Sequence, residues 1–316
     1  MSGPPGIPVD RLPGGEGELR ARTLAPAKIN LVLDLVGPRP DGYTEIATVF
    51  QAVELGDRVA VTVRPGGSPG VDLVVLPEAP CPARENLALR AARAFLEASG
   101  LAVRVRIVLE KEIPAGSGLG GGSSDAAAVL RCLDALLPGT LPPARLEEVA
   151  AGLGADVPYF LHGGLAAGRG RGDEIELLPD LPPIDLVLAR PTEPLATAEV
   201  YRLARKGLTG RRDAPKMRAF LRHLERGGGG LPPVGNDLAP AAVRLVPEIA
   251  ALVAELRAAG GQAAMTGSGT AVFGLFPGAD PAEAAARRLA AMPAAAWVRV
   301  TRTLPRGRGP EDVREG

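Results

Sequence analysis

The chain has 316 residues, of which 46% are hydrophobic, so it is long enough to bury a sizeable core in one large or two ordinary domains. Its 36 basic side chains balance 36 acidic ones, which excludes a global positive field of the kind that gathers nucleic acid or anionic membrane. The two cysteines, Cys81 and Cys132, are too few for a disulfide framework, and no metal-ligand spacing links them to His162 or His223. The composition therefore predicts a reduced compartment, the cytoplasm, and a fold that does not depend on a metal.

The first twenty residues are rich in glycine and proline. They lack the run of about 7 to 15 apolar residues that marks a secretory signal, so 1–20 is predicted to be a disordered leader. No later stretch approaches the roughly 20 apolar residues that span a bilayer. The sequence thus predicts a protein that binds neither membranes nor nucleic acid.

The chain before its glycine-rich run is predicted to be mostly extended. Leu31, Leu33 and Leu35 share one face of the first strand, and a later strand alternates apolar with mostly charged residues. The second and third strands flank a turn rich in proline and glycine, so they are expected to pair as an antiparallel hairpin. In chain order, the predicted elements are strands over 20–36, 57–63 and 71–76, a helix over 86–99 that ends at Gly100, and a strand over 103–109.

The glycine-rich run and the segments after it alternate helices with strands, which is typical of an α+β fold. The residues 202–226 read as a polar stretch, and the glycine tract 227–230 is the best linker signal in the chain. A charged tail, 304–316, is expected to be frayed from Arg306 onward. The elements predicted here are helices over 123–137 and 143–152, a strand over 185–189, a helix over 245–259, strands over 262–265 and 271–276, a helix over 281–291 and a strand over 297–301.

The glycine-rich run lies between a predicted strand and a predicted helix, where glycine lets the backbone approach a ligand closely. Backbone N–H groups and the positive end of the following helix favour a phosphate at such a place. A flexible surface loop is the alternative, and it is disfavoured by the structured flanks. The run predicts a nucleotide-binding phosphate loop made of Pro114, Ala115, Gly116, Ser117, Gly118, Leu119, Gly120, Gly121, Gly122, Ser123 and Ser124.

Two other phosphate motifs fit this run poorly. Gly116, Gly118 and Gly121 spell the G-x-G-x-x-G pattern of dinucleotide-binding folds, but no strand-terminal acidic residue follows about 20 residues later. The Walker pattern requires a lysine at the start of the helix, and none occurs between Glu112 and Ser124. A kinase with this loop must therefore find its cation and its base elsewhere in the chain.

Lys28 and Asp156 are the candidates for these two roles. Lys28 lies in an apolar strand, where an ammonium group needs a partner, although a lysine that snorkels from a strand end is the alternative. Asp156 is followed by an apolar, strand-like run. The alternative role for its side chain is to cap the N-terminus of a helix. Two of the other lysines, Lys206 and Lys216, fall in the polar stretch and are expected to be solvated.

Five segments of the sequence resemble the motifs of the GHMP kinases, the family of galactokinase, homoserine kinase and mevalonate kinase. The five segments are 26–31, 41–43, 114–124, 153–158 and 266–270. The resemblance implies an N-terminal domain, 21–180, with a left-handed βαβ crossover, a ferredoxin-like C-terminal domain, 181–303, and an active site between them.

The same resemblance implies roles for the candidate residues. Asp156 would be the general base on the acceptor hydroxyl, and Lys28 would keep it ionised and orient that hydroxyl. The glycine loop would stabilise the transferring phosphoryl group of ATP. Magnesium would bridge the phosphates, with Ser124 as its one nameable ligand.

Within the family, the motifs are most similar to those of kinases that phosphorylate the 2-hydroxyl of an alcohol carrying a cytidine diphosphate group. In those enzymes a histidine follows the Asp-Gly-Tyr turn and binds cytosine, whereas Thr44 stands here. Tyr43 and Tyr201 would stack on the two faces of the base; the alternative for each tyrosine is ordinary core packing. The alternative for Asp41 is a role in a tight turn only. The substrate-binding residues that the resemblance implies are Asn30, Asp41, Tyr43, Thr44, Tyr201, Gly267, Ser268 and Gly269.

The sequence therefore leaves three candidate functions open. The first is ATP-dependent phosphorylation of the cytidine diphosphate compound by a monomer or weak homodimer. The second is a GHMP kinase for another small alcohol of the mevalonate or homoserine type. The third is a nucleotide sensor that kept the fold and lost the chemistry, which the presence of both Lys28 and Asp156 disfavours.

Overall fold

A computed structural model describes residues 6–15, 17–66, 68–78, 81–206, 208, 210 and 213–307. Its strands are β1 Val9–Leu12, β2 Leu19–Pro38, β3 Thr44–Pro65, β4 Gly70–Leu76, β5 Val103–Glu110, β6 Leu165–Arg169, β7 Glu174–Leu177, β8 Asp185–Arg190, β9 Gly235–Asn236, β10 Gln262–Met265, β11 Val272–Phe276 and β12 Trp297–Arg302. Its helices are α1 Leu87–Ser99, α2 Gly121–Leu136, α3 Pro143–Leu153, α4 Val157–His162, α5 Thr197–Arg205, α6 Pro215–Glu225, α7 Ala239–Leu245, α8 Glu248–Ala258 and α9 Ala279–Ala290. No helix in these ranges has the length and apolar character that a membrane crossing requires.

The first sheet is built on the long antiparallel pair β2 and β3, whose strand order continues as β1-β2-β3-β5-β4. β6 pairs with the first part of β3, β7 pairs with β6, and the two-residue strand β9 joins β2 in parallel. The register sets Lys28 opposite Ala52 and Asn30 opposite Phe50. β2 therefore carries the candidate cation in the middle of the sheet.

The predicted antiparallel hairpin between the second and third strands is wrong. β4 pairs in parallel with β5, and β5 lies between β4 and β3. The helix α1 links β4 to β5, so the three elements form a βαβ unit. Alternation along a strand shows which side chains are buried, but it does not select the neighbouring strand, and this caused the error.

Both ends of the described chain are more ordered than predicted. Within the predicted leader, β1 pairs with residues 20–23 of β2, while residues 1–5 lie outside the described residues. At the other end, Leu304 is buried and its N–H donates to the carbonyl of Ala52 at 2.8 Å. The N–H of Arg306 donates to Asp180 Oδ2 at 3.0 Å, so fraying does not begin at this residue.

The second sheet has the strand order β10-β11-β8-β12, and all its pairs are antiparallel. With α8 before β10 and α9 before β12, this is the ferredoxin-like arrangement that the resemblance implies. The predicted α+β class is thereby confirmed. The predicted helix over 245–259 is interrupted, since α7 ends at Leu245 and α8 begins only after Pro247.

The polar stretch 202–226 contains the end of one helix, α5, and the whole of another, α6, and the sequence interpretation missed both. Each buries a narrow apolar stripe, Val200 in α5 and Met217 with Phe220 in α6, among many charged side chains. The glycine tract after α6 leads to β9 of the first sheet. Lys216 is not merely solvated as expected, because its Nζ pairs with Asp237 and lies 3.5 Å from Asp34 Oδ1.

Three layers of apolar packing hold the elements in place. On one face of the first sheet, α1 and α2 bury side chains such as Phe95, Leu130 and Ile107. The other face packs directly on the second sheet through residues such as Ile29 and Phe273. Because β2 takes part in this contact, the glycine motif after β10 is brought against the phosphate loop that precedes α2. The third layer covers the outer face of the second sheet with α8 and α9.

Candidate active site

A cleft of about 1200 Å³ is lined by residues of β2 and β3 in the first sheet and, from the second domain, by residues of α5 and of the turn after β10. The phosphate loop and the start of α2 form one end, and α5 with the turn between β2 and β3 forms the other. Lys28 and Asp156 line the cleft between these ends. The structure therefore brings the two predicted catalytic residues and the predicted loop to one place.

The phosphate loop needs glycine at three positions. Gly116, Gly118 and Gly120 have φ values of 64°, 80° and 77°, in the left-handed region that favours glycine. α2 begins at Gly121, within the run, so the unpaired N–H groups of its first turn lie in the loop itself. This arrangement fits an anionic phosphate group.

Two backbone hydrogen bonds fix the loop between the domains. The N–H of Lys28 donates to the carbonyl of Leu119 at 3.0 Å, and the N–H of Ala271 donates to the carbonyl of Ser117 at 2.9 Å. The loop also packs tightly, since a Cβ at Gly118 would lie 2.8 Å from the carbonyl oxygen of Thr266. The loop is thus shaped by both domains before any nucleotide arrives.

All the predicted loop residues line the cleft except Leu119 and Ser124. Leu119 is a buried core residue that anchors the loop. Ser124 is wholly buried, and within the described residues its Oγ has no hydrogen-bond partner. Ser123 instead carries the hydroxyl that lines the cleft.

Lys28 Nζ lies 3.6 Å from Asp156 Oδ2. The lysine side chain is only 4% exposed and the aspartate side chain 33% exposed, so the carboxylate forms the wetter side of the pair. Lys28 Nζ also donates to Asn30 Oδ1 at 2.7 Å and lies 5.5 Å from the centre of the Phe50 ring. The lysine is thus held on several sides and does not snorkel to solvent.

Asp156 immediately precedes α4, and the strand-like run predicted after it is a helix. Tyr159 and Phe160 are fully buried in this helix, and a short apolar run cannot be assigned to strand or helix by periodicity alone. Asp156 occupies the N-cap position, but its side chain makes no capping hydrogen bond. Its carboxylate instead lies beside Lys28 in the cleft.

Asn30 orients the lysine. Its Oδ1 accepts from Lys28 and from Thr266 Oγ1, and its Nδ2 donates to Thr48 Oγ1 at 2.8 Å. Asn30 lines the cleft but is only 2% exposed. Its amide is therefore engaged within the protein, which suits a positioning residue better than a substrate ligand.

A buried ionic cluster lies beside the phosphate loop, and the sequence interpretation did not use it. Lys111 Nζ contacts Asp57 and lies 2.5 Å from Asp125 Oδ2. Burial raises the pKa of Asp125 to about 7; Lys111 opposes this shift and the Asp57 carboxylate adds to it. Burial would lower the pKa of Lys111, but the two carboxylates outweigh it and raise that pKa. Lys111 is one of only four lysines in the chain and lies three residues before the loop, which was the available signal.

The far end of the cleft holds the predicted acceptor residues. Tyr43, Thr44 and Tyr201 all line it, and burial raises the pKa of Tyr201 to about 12. Two arginines that were not predicted join them. Arg171 lies over the Tyr43 ring at 5.3 Å from its centre, and Arg205 Nε donates to Thr44 Oγ1 at 2.7 Å.

Two other predicted substrate residues do not line the cleft. Asp41 shapes the turn before β3, because its carboxylate accepts from the N–H of Tyr43 at 3.0 Å, and this bond together with Arg39 lowers its pKa. Gly269 supports the phosphate loop from behind, with a left-handed φ of 91°. Gly267 and Ser268 do line the cleft.

A divalent cation would find few protein ligands here. Among the described residues, no group of three or more His, Cys, Asp or Glu side chains could hold a metal ion. Asp125 Oδ1 is buried and has no hydrogen-bond partner among the described residues. Asp125 and Ser123 both line the cleft. These oxygens are of the kind that magnesium prefers, whereas Ser124 does not line the cleft and fits the role poorly.

Family models give the class of the protein. Residues 86–164 match the GHMP kinases N terminal domain, and residues 214–295 match the GHMP kinases C terminal domain. Together with the relatives described next, these matches show that the chain belongs to the GHMP kinase family.

The similar relatives have one function in common. The chain is 43% identical to a 4-diphosphocytidyl-2-C-methyl-D-erythritol kinase of Pelotomaculum thermopropionicum, over 84% of this chain and 92% of that protein. It is 42% identical to the protein of the same name from Moorella thermoacetica, over 83% and 92%.

Solved structures agree with these relatives. A crystal structure of 4-(cytidine 5'-diphospho)-2C-methyl-D-erythritol kinase is 42% identical, with a TM-score of 0.75 over 89% of this chain and 98% of that one. A homoserine kinase from Cytophaga hutchinsonii has a TM-score of 0.64 over 94% and 98%, but at 19% identity it shows only the shared fold.

Proposed function

We propose that this chain transfers the γ-phosphoryl group of ATP to the 2-hydroxyl of 4-diphosphocytidyl-2-C-methyl-D-erythritol. The products are the 2-phosphate and ADP, and the reaction is a step in the making of isoprenoid precursors by the non-mevalonate route. The observation that carries the proposal is the Lys28–Asp156 pair in the cleft beside the phosphate loop, in a chain 43% identical to a kinase of that name. Two free cysteines suit a cytoplasmic location.

In the proposed reaction, Asp156 accepts the proton of the 2-hydroxyl as the oxygen attacks the γ-phosphorus. The bond between the γ-phosphorus and the bridging oxygen breaks, and ADP leaves with that oxygen. Lys28 places a positive charge 3.6 Å from the Asp156 carboxylate and donates toward the attacking oxygen. Its position is fixed by Asn30, which keeps it from moving into solvent.

The phosphate loop supplies the electrostatic part of the mechanism. Backbone N–H groups around Gly120 and the start of α2 face the charge that builds up on the phosphoryl oxygens. Because these groups are already fixed by the hydrogen bonds of Leu119 and Ser117, little reorganisation is needed at the moment of reaction. Magnesium, when bound with the nucleotide, supplies further charge neutralisation at the phosphates.

The shape of the cleft supports an acceptor with a nucleotide end. Beyond the catalytic pair, Tyr43 and Tyr201 present aromatic surface, and Arg171 and Arg202 bring positive charge. Flat bases stack on such rings, and a diphosphate is attracted by such charges. A small alcohol such as mevalonate or homoserine would leave this end of the cleft unused.

Purified protein supplied with ATP and a panel of acceptor alcohols tests the proposal. We expect formation of ADP and the 2-phosphate with 4-diphosphocytidyl-2-C-methyl-D-erythritol, and little with mevalonate or homoserine. Turnover of mevalonate or homoserine without turnover of the cytidyl compound would overturn the choice of acceptor. Nucleotide binding without phosphoryl transfer to any acceptor would support a sensor instead.

A further inference from the structure

The hydrogen bond between Arg205 and Thr44 crosses the cleft from one domain to the other. Thr44 is the first residue of β3 and is 4% exposed, while Arg205 is the last residue of α5. Arg205 Nε donates to Thr44 Oγ1 at 2.7 Å. One edge of the guanidinium is therefore tied to the wall of the cleft by a nearly buried hydroxyl.

The rest of the guanidinium is suited to recognition. A guanidinium is planar and carries five N–H donors, so an arginine that uses Nε–H keeps four donors on its two terminal nitrogens. Arg205 lines the cleft, as do the rings of Tyr43 and Tyr201. A flat ring stacked on either tyrosine would present its edge to donors fixed in this region.

The environment of Tyr43 favours a stacked base at this end of the cleft. The tyrosine is 56% exposed, an unusual exposure for a large aromatic residue in this chain. The Arg171 guanidinium lies over its ring, 5.3 Å from the centre, and is itself paired with Asp173 at 2.7 Å. The ring is thus held in place while keeping surface available to a ligand.

We propose that Arg205, positioned by Thr44, distinguishes cytosine from uracil in the acceptor. This inference rests on the proposed function, since it concerns the nucleotide end of the same acceptor. Cytosine presents two adjacent acceptors, O2 and N3, and the terminal N–H groups of Arg205 donate to both. Uracil presents O2 beside an N3–H group. This N–H donor would face an N–H donor of Arg205, and neither would have an acceptor.

The size of the discrimination follows from this geometry. A good bidentate contact between a side chain and a base corresponds to about 10- to 100-fold discrimination against the wrong base. Arg205 does not lie among the residues assigned to the reacting atoms, so the effect is expected in the KM of the acceptor with little change in kcat. Thr44 acts through Arg205 and is a positioning residue.

The test compares kcat/KM for the cytidyl acceptor and for its 4-diphosphouridyl counterpart, at saturating ATP. We expect the wild type to prefer the cytidyl compound by about 10- to 100-fold. Arg205→Met should bring the ratio close to one by raising the KM of the cytidyl compound. Arg205→Lys keeps the charge without the planar fork, so it should also lose most of the preference. Thr44→Val keeps the shape of the threonine without its hydroxyl and should lower the ratio in part.

Lys206→Met is the matched control, because Lys206 is exposed at the same end of α5 and does not line the cleft. It removes one positive charge and should leave the ratio unchanged. If Arg205→Met weakens both acceptors equally, the arginine binds the diphosphate and the inference is wrong. If the wild type turns over neither compound, the proposed function itself fails, and this outcome is separate from a change in the ratio.

Discussion

Lys28 Nζ and Asp156 Oδ2 lie 3.6 Å apart, although β2 carries one residue and the start of α4 the other. The ammonium is nearly buried and bound by Asn30 Oδ1, whereas the carboxylate is one-third exposed to the cleft. The fixed partner is therefore the cation, and the group open to substrate is the proposed base. This division suits a carboxylate that must accept a proton and release it again in each turnover.

Asp156→Asn should lower kcat by at least about 100-fold, since a general base contributes roughly 10²–10⁴-fold. The change keeps the size of the side chain, so the affinity for ATP should stay close to that of the wild type. Steady-state kinetics and calorimetric titration with ATP measure the two quantities. Asp280→Asn, at an exposed position in the first turn of α9, is the control and should behave as the wild type. Turnover near the wild-type value in Asp156→Asn would remove the residue from its proposed role.

Lys28→Met should also lower kcat strongly, and the double variant Lys28→Met/Asp156→Asn should be little worse than the more damaged single variant. Residues that act as one unit are not additive, because removing either already disables the pair. The measurement is a double-mutant cycle in kcat/KM. If the two effects multiplied, the residues would act independently despite their 3.6 Å separation.

Gly118→Ala should destabilise the protein more than Gly116→Ala. Both glycines have left-handed φ values, which cost a residue with a Cβ about 1–2 kcal/mol. At Gly116 a Cβ meets nothing within 4 Å, whereas at Gly118 it would lie 2.8 Å from the carbonyl oxygen of Thr266. We expect a further loss of about 1–3 kcal/mol at Gly118 in urea unfolding without nucleotide. Equal losses would mean that the contact between the loop and the second domain yields easily.

Asp125→Asn should reduce the pH dependence of stability. Burial, with Asp57 adding to it and Lys111 opposing it, raises the pKa of Asp125 from 3.8 to about 7. Between about pH 4 and pH 7 the native state therefore holds a proton that the unfolded chain has released, and the free energy of unfolding falls as the pH rises. An asparagine removes this titration. The free energy of unfolding of the variant, relative to that of the wild type, should therefore rise between about pH 5 and pH 8.

Urea unfolding across this pH range checks the prediction for Asp125→Asn. Asp280→Asn serves again as the control, since it changes an exposed carboxylate far from the cluster. A variant with the pH dependence of the wild type would show that Asp125 does not keep a proton in the folded protein.

Local patterns were sufficient for several elements of the fold. The helix α1 begins and ends almost where the period of Leu87, Ala91 and Phe95 and the stop at Gly100 predict. β10 matches its predicted bounds, and the other strands of the second sheet differ by one residue at an end. These elements were predictable because their backbone hydrogen bonds and apolar stripes follow the chain itself.

Other elements depended on contacts between distant segments. β3 extends from Thr44 to Pro65, but only its second part was predicted, since its first part pairs with β6 on one side and β2 on the other. α5 and α6 bury few apolar residues in a charged stretch, so their helical period was too weak to detect. Composition alone places β1 in a disordered leader, because its pairing with β2 is not visible in composition.

The residues of the site also divide into those that local sequence reveals and those that only tertiary contacts reveal. The phosphate loop, Lys28 and Asp156 could be chosen from the sequence, because glycine-rich backbone between a strand and a helix, and a charge in an apolar segment, are unusual for local reasons. Arg171 and Arg205 could not, because arginines are common in this chain and the roles of these two come only from what they contact. Lys111 is a rare lysine close to the loop, but its two carboxylate partners become visible only in the structure. Ser124 was preferred to Ser123 as a ligand, and the helical turn at the start of α2 directs Ser124 into the core.

The sequence by itself predicted a phosphate site in the loop at the start of α2, and it determined that a lysine and an aspartate stand in unusual surroundings. Tertiary structure decided that these two side chains meet, that Asn30 holds the lysine, and that Arg205 reaches Thr44 across the cleft. The physical reason is one of range. Backbone conformation and burial leave a periodic trace along the chain, whereas an ion pair or a hydrogen bond between domains depends on the packing of one sheet on the other.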